Sequence, residues 1–115
     1  MSVVAIVSDL LMASRIEGAA SGAGVPFARI DSPADLPTPE AVRLVLIDWS
    51  ARRDDWARQL SAWRESVPAG SSVPRVVLFG QHTDLEAHSA ARAVGLGPMW
   101  ARSKLVAELP ALVAR

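Results

Sequence analysis

The chain has 115 residues, half of them hydrophobic, with twelve basic side chains balanced by twelve acidic ones. That length makes one domain, spanning 1–115, which can bury about two-thirds of its unfolded surface. Zero net charge without blocks of like charge argues against nucleic-acid or anionic-membrane partners, and the absence of cysteine excludes disulfides, thiolate metal sites and thiol nucleophiles.

Ser2-Val3-Val4-Ala5-Ile6-Val7 is a short β-branched run that reads as a strand and ends at Ser8-Asp9. From Leu10 the period becomes helical. Leu11, Ile16, Ala19, Ala20 and Ala23 recur on one side and Ser14, Arg15, Glu17 and Ser21 on the other, until Gly22 and Gly24 close the helix. Asp9 has two readings: it can cap the first amides of this helix, the commoner role for a carboxylate there, or project above the sheet. Val25 to Asp31 alternates roughly, with Pro26 near its start, as an edge strand does. Pro33, Pro37 and Pro39 then leave 32–40 as a loop with at most one helical turn.

The central stretch is Leu44-Val45-Leu46-Ile47-Asp48-Trp49-Ser50, four aliphatic residues that end abruptly in a carboxylate. An unbroken apolar run is the mark of a strand buried on both faces, as in parallel sheets covered by helices. From Arg52 to Glu65, with Val67 just beyond, Trp56, Leu60, Trp63 and Val67 step by four, three and four, a strong amphipathic stripe. Its tryptophans are read as core rather than as an aromatic ligand box. Val73 to Phe79 is the fourth strand and stops at Gly80-Gln81-His82. Thr83-Asp84-Leu85-Glu86 has capping-box spacing and starts a helix with Leu85, Ala87, Ala90, Ala91 and Val94 as apolar positions, ended by Gly95. Gly97 to Ala101 is a short last strand. Arg102-Ser103-Lys104 then leads into a terminal helix carrying Leu105, Val106, Leu109, Leu112 and Val113, with Pro110 inside it. No stretch is long and apolar enough to cross a bilayer, and the N-terminus lacks the features of a secretion signal, so a cytoplasmic protein is expected.

This order of elements predicts an α/β fold: a flavodoxin-like three-layer sandwich with a five-stranded parallel sheet of order 2-1-3-4-5, the second helix being short or missing. In such sheets ligands and chemistry collect at the carboxyl ends of the strands, where the strand order reverses. The residues there are Asp9, Asp48, His82 and Arg102. A metal held by His82 with the two aspartates is weighed against an ordinary solvent histidine, and the latter is favoured because only one histidine can reach. His88 reads as a surface residue.

With its aspartate at the end of the third strand, the fourth-strand ending Val76-Val77-Leu78-Phe79-Gly80 and a basic residue closing the fifth strand, the chain resembles the receiver domains of bacterial two-component response regulators over essentially its whole length. Eleven arginines among the twelve basic residues also hint at a GC-rich bacterial coding sequence. The resemblance makes Asp48 the candidate phosphoacceptor for a histidine kinase. Three positions depart from the family's pattern. Ser8-Asp9 supplies one acid where two usually hold magnesium, Gly80 stands where a hydroxyl residue is usual, and Arg102-Ser103 replaces lysine and proline. The candidate acidic pocket is therefore Asp9, Asp48, Gly80 and Arg102, with Asp9 and Asp48 as a weak magnesium pair. The expected function is that of an atypical or pseudo-receiver, a binding module without enzymatic activity or resident cofactor. It would meet a protein partner or a second copy through a face containing Met99, Trp100, Leu105 and Val106, beside Arg92 and Arg102. The alternative is a working phosphoacceptor modified on Asp48 with magnesium. The plain structural reading of Asp48 is a buried carboxylate paired with Arg102, which would lower the nucleophilicity that phosphoryl transfer needs.

Overall fold

The computed structural model describes residues 1–114. Its five strands are all parallel: β1 Ser2–Ile6, β2 Phe27–Ile30, β3 Val42–Asp48, β4 Arg75–Gly80 and β5 Trp100–Ala101, in the order β2-β1-β3-β4-β5. Four helices cover them: α1 Leu10–Gly22, α2 Trp56–Glu65, α3 Leu85–Ala93 and α4 Arg102–Val113. This is the flavodoxin-like α/β arrangement expected from the sequence, with the strand order reversing between β1 and β3.

Strand alternation divides the core in two. Val3, Ala5, Leu44, Leu46, Val77 and Phe79 point to one side of the sheet, where they pack with Ile16 and Ala20 of α1 and Leu105 and Leu109 of α4. Val4, Ile6, Val45, Ile47 and Leu78 point to the other, against Trp56, Leu60 and Trp63 of α2 and Ala87 and Ala91 of α3. Both sets are buried, which is why these strands read as continuous apolar runs. Leu60 is fully enclosed, and truncating such a leucine to alanine costs about 2–5 kcal/mol.

No regular helix joins β2 to β3. Two short 3₁₀ turns, Pro33–Asp35 and Pro39–Ala41, stand there instead, one more turn than the proline spacing suggested. Pro33 and Pro39 are buried, and the Trp63 indole donates to the Pro37 carbonyl at 2.7 Å. A side chain of α2 thus anchors the loop that replaces a helix.

Helix phase corrects three expectations. The inward stripe of α1 is Met12, Ala13, Ile16 and Ala20, while Leu11 is 68% exposed because it lies about 100° from Met12 around the helix. In α3 the inward pair is Ala87 and Ala91, which leaves Leu85 at the first position facing solvent. The cap of α3 is Asp84, whose Oδ1 accepts the Ala87 amide at 3.0 Å, and not Thr83. Both α1 and α3 end as the glycines foretold. Gly24 and Gly95 have φ of 71° and 76°, which bends the chain so that the Val25 amide reaches the Ala20 carbonyl and the Leu96 amide the Ala91 carbonyl. The last strand is shorter than expected, and 97–99 lie outside it.

Candidate functional site

Asp48 ends β3 with the same parity as Leu44 and Leu46, so its carboxylate belongs to the side of the sheet covered by α1 and α4. Arg102 is the first residue of α4. Its Nη2 donates to Asp48 Oδ2 at 3.0 Å, closing an ion pair between residues 54 apart in sequence. The two partners are unequally buried: the side chain of Asp48 is 5% exposed and that of Arg102 41%. Asp48 Oδ1 has no hydrogen-bond partner among the described residues.

Burial pushes the Asp48 carboxyl above its ordinary pKa of 3.8, because the charged form loses water. The Arg102 guanidinium works against that rise, as do the backbone amides of Ser50 and Ala51, which favour the anion without completing a hydrogen bond to Oδ1. The Asp9 charge adds a smaller push upward. Burial outweighs its one direct ion pair because Arg102 is itself open to water, which weakens the attraction it offers.

Asp9 caps α1, as the commoner reading of it held. Its Oδ1 accepts the Leu11 amide at 2.9 Å and the Met12 amide at 3.3 Å. The two aspartates therefore sense each other electrostatically, but one oxygen of Asp9 is engaged by the helix and one of Asp48 by the arginine.

Gly80 brings in a residue that sequence reasoning passed over. Trp49–Ala51 form a 3₁₀ turn that folds Ser50 back across the end of β4. A Cβ at Gly80 would overlap Ser50 Oγ and lie 3.0 Å from Ser50 Cβ, so the serine fills the space of a side chain there. Ser50 Oγ in turn accepts the Gln81 amide at 2.9 Å. The only signal in the sequence was a small hydroxyl residue two positions past Asp48, and its direction depends on the turn. Trp49, between them, is fully buried, with Arg52 over its ring at 5.9 Å and the Arg52 guanidinium on its carbonyl.

His82 lines an open cleft with Gly80, Thr83, Arg102 and Ser103, and the His88 ring nitrogen is 3.0 Å from the His82 carbonyl. Among the described residues no group of three or more histidine, aspartate or glutamate side chains is arranged to hold a metal ion.

The face expected to meet partners is narrower than the sequence suggested. Met99 and Leu105 are 4% and 0% exposed and belong to the two cores, so they are unavailable for contact. Trp100 and Val106 are partly exposed, and Arg92 is exposed. The Lys104 ammonium and Arg75 guanidinium stand over the Trp100 ring at 4.5 and 5.8 Å, which makes this patch aromatic and basic.

No protein-family model matches the chain, and no curated protein matches it. Among the described residues no helix is long and apolar enough to cross a membrane.

Proposed function

We propose that the chain is an atypical, receiver-like module of bacterial cytoplasmic signalling that acts by protein-protein contact and not by efficient phosphotransfer or as an enzyme. The observation that carries this reading is the buried Asp48 tied to Arg102. A carboxylate that takes up a phosphoryl group must present an oxygen to the donor, with cations fixed around the extra charge. Here Oδ2 is held by a guanidinium, and Oδ1 is buried with burial favouring the neutral acid, a poorer nucleophile. Gly80 offers no hydroxyl of its own, and the one beside it, Ser50 Oγ, already accepts the Gln81 amide.

The same geometry argues against a magnesium site. Magnesium requires oxygen ligands in near-octahedral array. Asp9 caps a helix, and the guanidinium on Asp48 supplies positive charge where the dication would sit. The residues present do not fit the ion.

Contact through the patch of Trp100 and Val106 with Lys104 and Arg75 suits an acidic protein surface or a second copy. Incubation with acetyl phosphate and magnesium, followed by intact mass, tests the reading: the mass stays unchanged. A stable gain of one phosphoryl group that disappears in Asp48→Asn would establish the phosphoacceptor alternative, with a histidine kinase as its partner. Size-exclusion with light scattering on wild type and Trp100→Ala addresses a homodimer, which requires a mass above the monomer that the substitution lowers.

A further inference from the structure

A second site, lined by neither Asp48 nor Arg102, lies at the carboxyl end of the sheet. The carboxyl ends of β1 and β2 and the approach to α2 surround a cavity of about 270 Å³. Ile6, Ile30 and Trp56 give it apolar walls that continue the core under α2, while Ser8, Arg29 and Arg53 supply the polar groups. It sits where β2 would pass into a helix in a fully wound sheet, at the strand ends where ligands of such folds gather.

Three features of these side chains suit a bound molecule. Arg29 is held through Nη1, which donates to the Val7 carbonyl at 3.1 Å, and this orients the guanidinium while its Nη2 and Nε have no acceptor among the described residues. Asp31 is only 3.8 Å from the same Nη1 but is 91% exposed, so it gives up little by turning away. The Arg53 guanidinium is exposed and makes no ion pair or hydrogen bond with the described residues. Trp56 is 5% exposed, and its indole Nε1 is a buried donor without an acceptor among the described residues, the kind of group that folded proteins seldom leave unmatched.

Two guanidiniums against one exposed carboxylate leave the cavity with net positive charge. Planar guanidinium forks match the geometry of carboxylates and phosphates, and an indole edge with two isoleucines suits a flat apolar body. The volume lies just under the range of about 300–1,000 Å³ typical of drug-sized ligands, so it fits one ring and its substituent. We propose that this cavity binds a single-ring aromatic oxyanion, with its ring against Trp56, Ile6 and Ile30 and its anionic group on Arg29, Arg53 and Ser8. The site is independent of whether Asp48 is ever phosphorylated.

Phenyl phosphate is a suitable probe, followed by two-dimensional ¹H-¹⁵N NMR. Four tryptophans give four indole signals, and Trp56→Phe identifies the one from Trp56. The expected result is a saturable shift of that signal together with the amides of Ser8 and Arg53, with Kd below about 1 mM. Arg53→Ala, an exposed position whose folding the same spectrum checks, weakens binding by about tenfold or more. Inorganic phosphate and benzyl alcohol, each lacking one half of the probe, bind at least about tenfold more weakly. The proposal is overturned if phenyl phosphate gives no saturable shift, if inorganic phosphate binds as well, or if a folded Arg53→Ala binds unchanged.

Discussion

The hydroxyl of Ser50 occupies the space beside Gly80, and with it the end of β3 is locked onto the end of β4. Any side chain at Gly80 meets Ser50 Oγ first, then Ser50 Cβ at 3.0 Å and the Ser50 backbone nitrogen at 3.1 Å. Gly80→Ala is therefore expected to cost about 1–3 kcal/mol in urea unfolding, the usual range for overpacking a tight site. Ser50→Ala alone costs less, about 0.5–1.5 kcal/mol, through the lost hydrogen bond to the Gln81 amide. In the double variant the Gly80→Ala penalty shrinks, since the first obstacle is gone. Strict additivity would mean that the two residues do not compete for one space.

Arg102 bears on the same corner from α4. Replacing it by methionine keeps the hydrocarbon stem and removes the charge, which leaves Asp48 buried with no ion-pair partner. A loss of about 1–3 kcal/mol near neutral pH is expected, below the figure for a fully buried pair because Arg102 is partly exposed. In the background of Asp48→Asn the same substitution costs distinctly less. Equal losses in both backgrounds would show that packing of the arginine stem, not its charge, matters.

The central strand was legible because burial on both faces leaves an unbroken aliphatic run, and Asp48 with Arg102 was legible because strand order brings their two ends to one edge. The orientation of Leu11 and Leu85 was not. At the first turn of a helix the inward direction is set by the cap and by residues one turn later, and Met12 and Ala87 won those places through their spacing to Ile16 and Ala91. Met99 could not be separated from Trp100 by hydrophobicity, since a two-residue strand carries almost no alternation, and Leu105 and Val106 are neighbours in the first turns of α4 whose inward direction is set by Leu109 and Leu112 further on. Ser50 was hidden for another reason: its position depends on a 3₁₀ turn of three residues that no periodicity announces.

Asp9 offers a measurement on the α1 side of the site. It accepts two amides of the first helical turn, and Asp9→Ala should cost about 0.5–2 kcal/mol, the range for losing a helix cap. Asp9→Ser, which caps without charge, recovers most of that loss while keeping the anion away from Asp48. A Ser variant as unstable as the Ala variant would mean that the charge of Asp9, acting on the helix dipole, matters more than its hydrogen bonds.

Asp48 links the site to pH. Burial raises its pKa above 3.8 despite Arg102, so the native state takes up this proton at a higher pH than the unfolded chain does. Between the ordinary value and the raised one the native protein holds more protons, and stability therefore falls as pH rises through that window and levels off above it. The contribution is unfavourable at neutral pH, opposite in sign to a carboxylate that folding makes more acidic. Asp48→Asn keeps the shape of the neutral acid and cannot ionise. Subtracting its urea stability from that of the wild type cancels the other carboxylates and leaves Asp48 alone. The difference should move against the wild type as pH rises from about 4 and become flat above the raised pKa. Movement in the wild type's favour over that range would mean that Arg102 and the amides of Ser50 and Ala51 outweigh burial and hold the carboxyl below its ordinary value.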